Sequence, residues 1–214
     1  MVNVETEAIK YYKYFSELEG NQHIASEYGL ISILKIVDSF KIKKVLELGL
    51  GVGSISYSIL RHCDSRKKQV EYTGTEYNEF CLSVLPKYLG KYYGQIQLCR
   101  NIDSNPDDTR FDLVIIDGQD ENLEKIKAMI SNHGIVIIEG DRQPQLTIVR
   151  KIFPRSIYTR IISDRKHPVY GPFNSGWGGG IQLIFINPTI FQFIFYLKQR
   201  LYTAIKYRLR VVKS

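Results

Sequence analysis

The chain has 214 residues, 44% hydrophobic and 24% charged, enough for one α/β domain with a full core and close to the globular average. No stretch of about 18 apolar residues exists, which excludes a transmembrane helix, and Met1-Val2-Asn3-Val4-Glu5 lacks the pattern of a signal peptide. The net charge is +7, but Lys198, Arg200, Lys206, Arg208, Arg210 and Lys213 carry most of it. Without that tail the chain is close to neutral, so its charge is weak support for nucleic-acid binding. Cys63, Cys81 and Cys99 are scattered without a CxxC spacing, which argues against a disulfide framework or a zinc site and predicts a reducing, cytoplasmic setting.

The first forty residues read as two helices, Thr6 to Leu18 and Glu27 to Phe40, packing on the domain that follows. From residue 44 short β-rich runs alternate with helical segments, the pattern of βαβ units and a mostly parallel sheet. The runs are Lys44 to Leu48, Val70 to Thr75, Gln95 to Cys99, Phe111 to Asp117 and Gly134 to Glu139. Helices are predicted over Gly53 to His62, Asn78 to Leu89 and Glu121 to Ile130, while the polar link Arg100 to Arg110 lacks a crossover helix. Gln145 to Phe153 reads as a further helix. Ile157 to Ser163 and Ile181 to Ile186 read as strands joined by a glycine- and aromatic-rich loop, hence as antiparallel neighbours. The expected units are residues 1–40, 41–187 and a basic C-terminal helix over 188–214.

Local chemistry concentrates at Glu47-Leu48-Gly49-Leu50-Gly51-Val52-Gly53-Ser54, where an apolar strand runs through three glycines into a helix. Glycine admits positive φ and close backbone approach to a ligand. The dinucleotide fingerprint would place its third glycine where Ser54 stands, and a carboxylate at Glu47 is awkward beside pyrophosphate. It suits a ligand with an ammonium group and no phosphate. Glu76, at the end of the next strand and followed by Tyr77, can accept hydrogen bonds from both hydroxyls of a ribose. Asp117 ends a third strand. Ligands of open α/β sheets bind at the carboxyl ends of strands, so the three acids outline a site for a ribose-bearing cation.

These residues resemble the class I S-adenosylmethionine-dependent methyltransferases over about residues 25 to 187. The resemblance implies a Rossmann-like fold, a mostly parallel seven-stranded sheet with an antiparallel final strand and helices on both faces. It implies S-adenosylmethionine as donor and S-adenosylhomocysteine as product. Glu47, Gly49, Gly51, Gly53, Glu76, Tyr77, Asp103 and Asp117 are the expected cofactor residues, with Asp103 near the adenine amino group. Phe111 to Gly118 is similar to the small O-methyltransferase branch. In its metal-dependent members an Asp-Asn pair follows strand five, but here Asp141 is followed by Arg142, which offers a cation no oxygen ligand. No divalent metal is therefore expected to be required.

Asp117, Asp141 and His167 are the candidate catalytic bases. The expected acceptor is a small molecule or glycan, and no nucleic acid is expected. Two rival functions stay open: a non-catalytic nucleoside-binding domain on the same scaffold, and an NAD(P)-dependent oxidoreductase, the latter disfavoured by Glu47 and Ser54. The C-terminal segment Ile190 to Val212 gathers Ile190, Ile194, Leu197, Leu201, Ala204 and Ile205 on one helical face among basic residues. Its own domain, a second subunit in a homodimer, or a membrane surface are the possible covers for that face.

Overall fold

The structure, a computed structural model, describes residues 3–104, 109–118, 122–166 and 177–213. Two helices lead the chain: α1 (Val4–Ser16), capped by the Asn3 side chain accepting from the Glu5 N–H at 3.0 Å, and α2 (Glu27–Ser39), capped by Ser26. The alternating part follows as β1 (Lys44–Leu48), α3 (Ser54–Ser65), β2 (Glu71–Thr75), α4 (Glu79–Leu89), β3 (Ile96–Cys99) and β4 (Phe111–Ile116). It continues through α5 (Ile126–Met129), β5 (Ile130–Glu139), α6 (Gln143–Ile152), β6 (Ile157–Ile162), β7 (Gly180–Phe185) and α7 (Ile190–Lys213). Among the described residues no helix is long and apolar enough to cross a membrane.

The seven strands lie in the order β3-β2-β1-β4-β5-β7-β6. The first five are parallel, and β7 runs antiparallel to both β5 and β6. Chain order reverses between β1 and β4, which opens a crevice at their carboxyl ends. Both sheet faces are apolar because the central strands alternate: Val45, Leu113, Ile115, Ile135 and Ile137 join one core cluster with α2 and α3. Leu46, Leu48, Val114, Ile116, Val136 and Ile138 join another with α5 and α6.

One element departs from expectation. Glu121 lies outside the described residues; in the rest of the helix expected over Glu121 to Ile130, a 3-10 turn at Leu123–Lys125 leads into the single turn α5, and Ile130 already belongs to β5. Phe111 pairs with Ile130, and the register then jumps so that Leu113 pairs with Ile135. The bulge is local: Ile130 folds back under Gly134, where an added Cβ would lie 2.4 Å from the Ile130 Cγ1. Helical periodicity in this stretch yielded to strand pairing with Phe111.

A buried charge cluster ties the N-terminal helices to the domain. His62 on α3, fully buried, bonds Glu7 on α1 through Nδ1 (2.8 Å) and Asp38 on α2 through Nε2 (3.0 Å), and Arg66 reaches the same Glu7 carboxylate at 2.9 Å. Removing one partner of such a cluster leaves buried charge poorly compensated. His62→Ala is expected to cost about 3 kcal/mol in urea unfolding, the low end of the usual range because Arg66 still pairs with Glu7. A loss below about 1 kcal/mol would show that the cluster contributes no more than a surface ion pair.

Candidate functional site

The glycine turn leaves β1 with Gly49 at φ 89° and Gly51 at φ 55°, a conformation that other residues adopt only with strain. Space matters as much as conformation. A Cβ on Gly49 would lie 2.6 Å from the Gly118 Cα at the end of β4, and one on Gly51 would lie 2.4 Å from the His23 carbonyl oxygen. The turn is thus pressed between β4 and the Asn21–His23 turn that precedes α2. Gly53 plays a different part from the one expected. It starts α3, and its α-carbon faces Leu85 and Leu89 of α4 rather than the crevice.

Glu76 is the hub. One carboxylate oxygen accepts the Gly51 N–H at 2.7 Å, and the other accepts the Tyr77 and Asn78 N–H groups at 2.8 and 2.7 Å. The carboxylate therefore sets the spacing between the glycine turn and the start of α4. Gly49, Gly51, Glu76, Tyr77 and Asp117 meet in one cleft of about 240 Å³ with Gly118 and Arg142. Tyr77, 68% exposed, stands at its rim.

Glu47 lies beneath the turn and is fully buried. The Tyr72 hydroxyl donates to its Oε2, while among the described residues Oε1 has no hydrogen-bond partner. Burial pushes the Glu47 carboxyl well above the ordinary carboxylate range against the opposing pull of Tyr72, and the charges of Asp117 and Glu76 push the same way. A buried, half-satisfied carboxyl among two other acids is a place that a cation would stabilise.

Asp117 receives the Arg142 guanidinium at 2.9 Å, and Arg142 also donates through Nε to the Glu139 carbonyl at 3.1 Å. Burial and the neighbouring Glu139 raise the Asp117 carboxyl well above its usual range, and Arg142 only partly offsets them. The position at which an oxygen ligand would be needed for a metal thus holds a guanidinium bound to the first acid.

Two further predicted residues, Asp103 and Asp141, lie elsewhere. Asp103 is outside the cleft lining and pairs with Lys125 and with the Asn122 amide at 2.9 Å. Asp141 turns away to a second cavity of about 380 Å³, where it meets Arg160 at 3.2 Å. His167 falls outside the described residues. Conversely, Gln22, His23 and Ile24 line the cleft, although nothing in their spacing marks them. Glu139, buried, fastens that segment: its Oε1 accepts the Ser26 N–H at 2.9 Å and the Ser26 hydroxyl at 2.7 Å. The one available signal was an acid at the end of β5, on the same rim as the other three.

No protein-family model matches the chain, and no curated protein is similar to it in sequence. Solved structures are similar in fold. A candidate caffeoyl-CoA O-methyltransferase of Staphylococcus aureus aligns with a TM-score of 0.59 at 16% identity, covering 83% of this chain and 91% of that one. The precorrin-6y C5,15-methyltransferase of Geobacter metallireducens aligns at 0.52 and 14%, covering 74% and 86%. The O-methyltransferase TomG of Streptomyces achromogenes, in complex with S-adenosylmethionine, aligns at 0.50 and 12%, covering 87% and 90%. The fold is the Rossmann-like fold of S-adenosylmethionine-dependent methyltransferases, with its antiparallel seventh strand.

Proposed function

We propose that the chain is an S-adenosylmethionine-dependent methyltransferase that methylates an oxygen of a small-molecule or glycan acceptor. The carrying observation is the buried Glu47 with its unpartnered Oε1, set beside Glu76 and Asp117 under a glycine turn. Glu76 and Asp117 line the cleft and Glu47 lies buried beneath it, an acidic setting that suits a sulfonium with an ammonium group better than a pyrophosphate, which disfavours NAD(P). The residues present fit that donor: Gly49 and Gly51 leave backbone within reach, Glu76 keeps one acceptor site for a ribose hydroxyl beside its three N–H partners, and Glu47, buried beneath the turn, has an unpartnered oxygen to meet the ammonium.

The donor supplies an electrophilic methyl group, so the protein's task is mainly positioning. The acceptor is assigned to the second cavity, whose lining includes Asp141, Arg160, Trp177, Tyr207 and Arg210, and which adjoins the first through Gly140 to Arg142. Two guanidinium groups and two aromatic rings favour an anionic, ring-bearing acceptor. Asp141 is the residue assigned to take the acceptor hydroxyl's proton as the oxygen–methyl bond forms and the sulfur–methyl bond breaks. Two of the similar structures named above are O-methyltransferases by name, which supports oxygen as the acceptor atom.

Thermal melting with S-adenosylmethionine, S-adenosylhomocysteine, NAD and NADP tests the reading. The first two are expected to raise Tm by several degrees at saturating concentration, because they bind only the folded state. Stabilisation by NAD alone would overturn it. A protein that binds the donor yet transfers no methyl to any anionic aromatic or sugar acceptor would favour the non-catalytic alternative. With an acceptor in hand, a chelator is expected to leave turnover unchanged, since Arg142 rather than a metal neutralises Asp117. Activity abolished by chelation and restored by magnesium would contradict this.

A further inference from the structure

The helix α7 docks with the face that its composition would not select. Gln192 donates to the His133 carbonyl at 2.8 Å, Thr203 to the Arg160 carbonyl, Lys206 to the Ile162 carbonyl at 2.9 Å, and Arg210 to the Ser163 carbonyl at 2.7 Å. Phe195 adds ring contacts with Phe40 and Phe185. The reason lies in the sheet. β6 is the last strand, and its outer edge would otherwise present bare carbonyls. The polar face of α7 covers that edge, so the apolar face is turned outward.

Ile190, Ile194, Leu197, Leu201, Ile205 and Val212 therefore form an exposed stripe at spacings of three, four and seven residues, with Ile190 76%, Leu201 61% and Val212 84% exposed. Among the described residues, nothing of its own domain covers this face. Lys198 and Arg200 flank the stripe on opposite sides, Arg208 interrupts it near its end, and α7 contains no acidic residue. Two copies paired through this face would bring both basic sets to one seam with no helix carboxylate to offset them. A bilayer surface bearing anionic headgroups complements both features at once, with hydrocarbon for the stripe and phosphate or carboxylate for its basic flanks.

We infer that the outward face of α7 lies in the surface of an anionic membrane. The same helix carries Tyr207 and Arg210 into the cavity beside Asp141, so that cavity is held about one helix diameter, roughly 10 Å, from the lipid.

The test is co-sedimentation of the full chain with vesicles of phosphatidylcholine alone or mixed with phosphatidylserine. Binding is expected to the mixed vesicles and to weaken at high salt, because the charge attraction is screened. The exposed double variant Leu197→Glu, Leu201→Glu is expected to bind at least tenfold more weakly with unchanged thermal melting, and Lys198→Ser, Arg200→Ser to lose most of the salt dependence. Absence of binding to the mixed vesicles would overturn the inference. So would a stable dimer by light scattering that the leucine variant dissolves, since the stripe would then be a subunit interface. The test uses neither donor nor acceptor, so its failure leaves the methyltransferase reading standing.

Discussion

Glu76→Ala is expected to weaken S-adenosylhomocysteine binding by about 10- to 100-fold, corresponding to about 1.5–3 kcal/mol for hydrogen bonds to a charged group. The structure gives that loss two parts. The carboxylate offers its remaining acceptor site to the ribose, and it also holds the Gly51, Tyr77 and Asn78 N–H groups at 2.7–2.8 Å. Glu76→Gln probes the second part. Its carbonyl oxygen can keep Tyr77 and Asn78, but its amide NH2 would face the Gly51 N–H, donor against donor. The Gln variant is therefore expected to lose most of the affinity as well, although its size and shape are retained. Calorimetry of the wild type and both variants checks this. An unchanged dissociation constant for Glu76→Ala would remove Glu76 from the donor site.

Glu47→Gln is expected to weaken donor binding by tenfold or more at neutral pH and to flatten its pH dependence. In the free protein, burial favours the protonated Glu47. A bound ammonium group favours the carboxylate, so binding releases a proton, and wild-type affinity rises with pH until the free-state value is passed. The slope is at most tenfold per pH unit for one proton. Glu47→Gln has no such proton to release. The sign for folding is opposite. A carboxyl raised in the folded state contributes its stability fully below its unfolded pKa and loses it as pH rises through the folded value. Wild type should therefore lose melting temperature relative to Glu47→Gln as pH increases above the ordinary carboxylate range. Tyr72, raised by its own burial and by Glu47, remains neutral throughout and keeps its hydrogen bond to the Gln carbonyl. Parallel melting and binding profiles for the two proteins would show that Glu47 neither titrates in the site nor meets the donor's charge.

Much of the cleft around the glycine turn was legible because it is local. A strand that ends in alternating glycines marks a turn with positive φ in the sequence itself, although the contacts with Gly118 and His23 that also require glycine there are not local. Glu76 and Asp117 could be placed because each ends an apolar run, and strand ends share one rim in a parallel sheet. The strand boundaries followed from apolar runs, except at β5, where pairing with Phe111 recruited Ile130 and reduced the expected helix to one turn.

The rest depended on contacts between residues far apart in the chain. Gln22, His23 and Ile24 reach the cleft because Glu139, more than a hundred residues later, fastens Ser26. Asp103 is drawn to Lys125 and Asn122, and Asp141 to Arg160, although both follow their strands in the sequence much as Glu76 and Asp117 do. The periodicity of α7 defined an apolar face but not where it would point. The composition of the helix alone favours burying that face, whereas β6 required donors for its outward carbonyls. Periodicity and local propensity determine what each segment can form, but which side chains meet, and which face is left to solvent, is decided by the hydrogen bonds and charges that the assembled sheet leaves to be satisfied.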